Sequence, residues 1–179
     1  MPMPRPLPLT ALALAITLSL PAQAQNAPAA PDDAQIAAIV VTANQVDVDA
    51  GKLAEGKGST QEVRAFARQM VTDHGGVNQL AVALAQKLKL TPQDNPTAQR
   101  LQKGGDDNLA QLRRLDGAAF DRAYVAHEVV YHQAVLDALD QVLIPSAANT
   151  ELKALLVKVR PAIDAHLQHA RRLQSGLGR

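Results

Sequence analysis

The chain has 179 residues, with eighteen Lys and Arg against seventeen Asp and Glu, two Tyr, two Phe and no Cys or Trp. Near-balanced charge and scarce aromatics exclude a nucleic-acid surface, which needs a basic patch and stacking platforms, and give no attraction to anionic lipid. The lack of cysteine removes a disulfide framework, thiolate metal ligands, a cysteine nucleophile and a lipid-modified cysteine together.

The first residues, MPMPRPLPLTALALAITLSLPAQAQ, read as an address. Arg5 marks a basic n-region, Leu7 to Leu20 form an apolar h-region, and Ala22-Gln23-Ala24 is a small-x-small cleavage site. This predicts a signal peptide over 1–24 and a periplasmic or secreted protein. The apolar run is short and stopped by Pro21, so no stable membrane span is expected after cleavage. Loss of Arg5 leaves seventeen basic residues against seventeen acidic ones. Residues 25–31 read as a flexible leader, and 32–175 as one helical domain.

Asp32 or Asp33 can cap the first helix, which the spacing carries to about Leu53 or Glu55 along the stripe Ile36, Val40, Ala43, Asp47, Ala50, Ala54. EGKGST breaks it, and Ser59 or Thr60 starts a second helix with the stripe Val63, Ala67, Met70, His74, Val77, Ala81, Leu84, Leu88. Inside it, Gly75 and Gly76 each cost roughly 1 kcal/mol in helix propensity, which predicts a close neighbour or a bend. After LTPQDNP, the segment from Thr97 to Phe120 contains Gly104-Gly105 and Gly117 and is expected to be a crossover carrying one or two short helices. A third long helix, about Ala118 to Leu143, shows Asp121, Val125, Val129, His132, Leu136, Leu139, Leu143. IPSAANT turns the chain into a fourth, with Leu152, Leu156, Val159, Ile163, His166, Ala170, Leu173 and a kink expected at Pro161. No alternating strand pattern occurs. The fold class is therefore all-α: a four-helix bundle of two hairpins joined by a long crossover.

Each long helix carries one ionisable residue within its apolar stripe: Asp47, His74, His132 and His166. A polar group buried without a partner costs of order 1 to 3 kcal/mol, so four scattered ones would be expensive and a shared layer is expected. The midpoints of 47 with 74 and of 132 with 166 fall within about two residues of the two hairpin turns, an axial offset of roughly 5 Å that side chains can span. One carboxylate and three imidazoles suit a single Zn, Cu, Ni or Fe ion. On the third helix His127 lies on a neighbouring stripe, and either histidine can face the centre. Glu128 and Asp121 are candidate acceptors that orient the imidazole, the solvated edge being the preferred place for Glu128. His169, three residues after His166, is an alternate ligand.

DVDAGKLA, FARQMVTDH, FDRAY followed by His132, and RPAIDAHLQHA resemble the bacterial exported proteins grouped as domain of unknown function 4142. The similarity spans nearly all of the chain after the leader. It implies a ferritin-like bundle outside the cytoplasm and no established reaction. In that family the first-helix acid is usually glutamate, where this chain has Asp47.

Other chemistry finds little support. A di-iron carboxylate enzyme needs two Glu-x-x-His motifs, and none of Glu55, Glu62, Glu128 and Glu151 precedes a histidine by three. GKLAEGKGS nearly matches a phosphate loop, but Gly58 stands where Ser or Thr is required and no strand precedes it. No catalytic residue or organic cofactor is assigned. The Ala-rich helix faces suit packing against another protein, so the alternative is a metal-free structural or interaction module of the cell envelope, partnered by an envelope protein or by a second copy.

Overall fold

The computed structural model describes residues 30–178, so the predicted signal peptide and most of the leader lie outside the described residues. These residues are all-helical. Helix α1 spans Asp33–Lys57, α2 Gln61–Leu88, α3 Pro96–Leu112, α4 Gly117–Ala138, α5 Ile144–Ser146 and α6 Thr150–Leu177. None is long and apolar enough to cross a membrane.

Local chemistry sets the boundaries. Asp32 caps α1 by accepting from Gln35 N–H, while the Gln35 side chain accepts from Asp32 N–H in return. Thr60 caps α2, Asn95 caps α3 ahead of Pro96, and Asn149 caps α6. Pro145 has no N–H to donate and its ring needs room at the preceding turn. Between α4 and α5 the chain widens into a π-helical stretch, Leu139–Leu143, with Ile144 N–H donating to Leu139 O.

Helices α1 and α2 form one hairpin and α4 and α6 the other, while α3 crosses between them and packs on α1. The crossover carries one helix, as expected, and α3 runs unbroken through Gly104 and Gly105. A Cβ on Gly105 would stand 2.8 Å from both Val46 methyls, whereas one on Gly104 would meet nothing within 4 Å. Gly105 thus lets α3 approach α1, and Gly104 faces open space. Helix α6 also passes unbroken through Pro161. The carbonyl deprived of its donor belongs to Val157, 52% exposed and so on the solvent side of the helix.

Two apolar clusters fill the interior. One joins Ile36 and Val40 to Leu136, Leu139, Leu143, Leu152 and Leu156. The other joins Ala50 and Ala54 to Phe66, Met70, Phe120, Tyr124 and Val125. Between them, at the level of Asp47, lies a polar layer.

Candidate metal centre

The register of the two hairpins brings Asp47, His74, His132 and His166 into that layer, all buried. His74 Nε2 is 2.8 Å from Asp47 Oδ2, and His132 Nε2 is 3.4 Å from the same oxygen. The three imidazole centroids lie 5.2 to 5.5 Å apart.

Hydrogen bonds behind the rings fix which nitrogen faces inward. The Asn44 side-chain amide donates to Val40 O, so its Oδ1 is the acceptor for His74 Nδ1–H at 2.7 Å. His132 Nδ1–H donates to Glu128 O at 2.9 Å, one turn back on α4. His166 Nε2–H donates to Asp73 Oδ2 at 2.9 Å. In their neutral forms the three rings therefore turn lone pairs on His74 Nε2, His132 Nε2 and His166 Nδ1 into the interior, and these are the ring nitrogens of the trio left without a hydrogen-bond partner. One ring nitrogen from each lies within 4.8 Å of the other two, and one ligand atom from each of Asp47, Glu128 and His132 meets the same limit. Outer nitrogens held by carbonyl or carboxylate acceptors, with inner lone pairs converging, are the usual support of histidine metal ligands.

The electrostatics point the same way. Burial lowers His132 to about 4 despite the opposing pull of Asp47, and lowers His166 as well, so both are neutral near pH 7. Burial alone would raise Asp47, but His74 and His132 outweigh it and hold the carboxyl at about 2. Glu128 is pushed well upward, first by burial and then by the Asp47 charge. No Lys or Arg is buried among the described residues, so only imidazole protonation or a bound cation can balance carboxylate charge in the layer.

The other candidates lie elsewhere or play other parts. Asp121 is buried but accepts from Ser59 N–H, Ser59 Oγ–H and Thr60 N–H, tying α4 to the first hairpin turn and not to an imidazole. His127 stacks on Tyr131 outside the layer, so His132 is the α4 histidine that faces the centre. His169 packs against the Phe66 ring and reaches Gln69 at 3.2 Å, away from the trio. The solvated edge expected for Glu128 is corrected: it is fully buried, because Tyr124, Glu128 and His132 follow one another at steps of four on the inner face of α4. Nor do Gly75 and Gly76 admit a close neighbour, since a Cβ on either meets nothing within 4 Å.

Sequence reasoning missed Asn44 and the part played by Asp73. Asn44 is three residues before Asp47 and so on the same face of α1, a signal that was present. Asp73 lies on the flank, its side chain 43% exposed, yet it reaches across to α6.

These features define an all-helical bundle with a buried histidine and carboxylate layer. Residues 18–173 match the family described as Domain of unknown function (DUF4142), and the chain belongs to it. No curated protein and no solved structure matches the chain.

Proposed function

We propose that this protein is exported and binds one divalent transition-metal ion, Zn, Cu, Ni or Fe, in the mid-bundle layer, with His74, His132 and His166 as nitrogen ligands and Asp47 as the compensating carboxylate. One observation carries this reading: three buried imidazoles whose outer nitrogens are engaged by Asn44, the Glu128 carbonyl and Asp73, and whose inner nitrogens gather without partners. Tetrahedral ligands about 2.1 Å from an ion lie roughly 3.4 Å from one another, within reach of small side-chain adjustments of this trio. The arrangement supports holding an ion, as a structural, buffering or sensing site; no reaction follows from it. The leader sequence supports export, which fractionation of the cell envelope tests.

Elemental analysis of untagged protein, beside a His74→Ala, His166→Ala double variant, tests the site. Wild type is expected to retain about one ion per chain and the variant almost none; equal retention by both would falsify the assignment. The 2.8 Å contact of His74 with Asp47 favours a second reading, because a protonated His74 would make it an ion pair in a metal-free bundle. That reading suits an envelope interaction module, and it expects no ion in either protein.

A further inference from the structure

The layer is closed to solvent, so an ion needs a way in, and one stretch of α2 is built unlike the rest. After His74 the next buried residue of α2 is Ala81; none of Gly75 to Leu80 is buried. Gly75 and Gly76 carry the propensity cost of glycine, yet neither makes room for anything. A small apolar cavity of about 40 Å³, lined mainly from the other helices, reaches this stretch at His74 and Val77. The buried Oδ1 of Asn78 has no hydrogen-bond partner. On the outer side Asp73, half-exposed, holds His166 and offers a carboxylate to solvent beside the buried ring.

Weak helix propensity, few buried side chains, a packing gap and an unsatisfied polar atom are each marks of low local stability, and here they coincide on one turn and a half next to a candidate ligand. Two helical glycines of this fold are needed for space: a Cβ on Gly51 would stand 2.9 Å from Val71 Cγ2, and Gly105 is pressed by Val46. Gly75 and Gly76 have no such reason, which leaves the softness itself as their effect.

We propose that the Asp73–Leu80 segment of α2 opens locally to admit and release the ion, with Asp73 as its first contact and the Gly75-Gly76 pair setting the opening frequency. This rests on the metal-binding reading for its cargo, while the opening is a property of the bundle alone. Opening would swing His74 away from Asp47 and expose the other two imidazoles across the α2–α6 seam. The ion then meets Asp73 at the surface, exchanges water for imidazole nitrogen, and is enclosed as the helix re-forms.

Alanine at 75 or 76 meets no atom, so these variants fold and gain helix propensity. Cobalt(II) uptake followed by its absorption, and its release to a chelator, should each slow about fivefold for one alanine and up to about thirtyfold for both, the ratios that correspond to the glycine penalty. Equilibrium affinity should stay within about twofold, because opening precedes both uptake and release. Gly104→Ala, equally unobstructed but on α3, is the control and should leave both rates as in wild type. Unchanged rates in the Gly75→Ala, Gly76→Ala double variant, or equal slowing by Gly104→Ala, would overturn the gate. If wild type takes up no ion, the metal reading falls and amide hydrogen exchange decides the opening alone. Amides of 75–80 exchanging faster than those of 63–72, and slowed by the alanines, support it; equal protection overturns it.

Discussion

At position 128 a carboxyl group sits fully buried one turn before His132, with neither oxygen hydrogen-bonded and His132 Nδ1 3.4 Å from Oε2. Its raised pKa means that the folded, metal-free protein holds a proton there which the unfolded chain has released above about pH 4.5. That proton favours the folded state at low pH and its advantage is lost as pH rises. His132, lowered to about 4 from 6.5, works in the opposite direction: the unfolded chain binds the extra proton between those values, so stability grows with pH across that window. His166, also lowered, adds to the same acid limb. The two trends overlap from about pH 4.5 upward, where Glu128 offsets part of the histidine gain. Metal-free protein should therefore gain stability with pH on the acid side less steeply than its histidines alone would give, and Glu128→Gln should make that gain steeper. Denaturant midpoints at pH 5 and 6.5 check this, and equal slopes in the two proteins would refute it. The same residue shows where sequence reading fails at this scale. Asp47, His74, His132 and His166 were legible because a charge within an apolar stripe is conspicuous. Glu128 was not, because the inner face of α4 is broad enough for two adjacent stripes, and one sequence does not reveal which of them is solvated. Asp73 is a flank residue, but a flank residue can still reach a neighbouring helix, and that depends on how α2 and α6 sit together.

Among the elements, the crossover was the least legible. Its two adjacent glycines read as punctuation, since glycine lowers helix propensity wherever it occurs. The segment is nevertheless one helix, because Asn95 and Pro96 start it firmly and its apolar face finds α1. Only the packing separates the glycines. Gly105→Ala would press a methyl to 2.8 Å from both Val46 methyls and should destabilise the fold by about 1 to 3 kcal/mol. Gly104→Ala faces open space and should stabilise it by up to about 1 kcal/mol. Equilibrium unfolding of the two neighbours separates these signs; destabilisation by both would mean that α3 tolerates no side chain on either position. The four long helices were legible because their stripes recur at steps of three and four over six or more turns, and the caps of the first two were visible as Asp32 or Asp33 and Ser59 or Thr60. The π-helical stretch after α4 was not, although Pro145, its cause, stands in the sequence.

For the whole molecule, the polar layer interrupts what would otherwise be one continuous apolar core, and the two clusters flanking it must be held together across groups that resist burial. Without an ion, the layer rests on the contact of Asp47 with His74 and on the carbonyl and side-chain acceptors behind the rings. An ion would join α1, α2, α4 and α6 at a single point, so its binding free energy would add to the stability of the entire bundle and not to one hairpin. Zinc at about a hundredfold over its dissociation constant should stabilise the fold by about 2.7 kcal/mol, a rise in melting temperature of roughly 5 to 10 °C for a domain of this size. The His74→Ala, His166→Ala variant, lacking two of the three nitrogens, should melt at the same temperature with or without zinc, and chelator should return the wild type to its metal-free value. A screen of zinc, copper, nickel and iron by thermal shift then ranks the ions by the size of the rise. A bundle whose melting is indifferent to all four, in wild type as in the variant, would leave the layer as a hydrogen-bonded girdle and turn attention to the exposed Leu80, Val82, Val130 and Val157 as contact points for a protein partner.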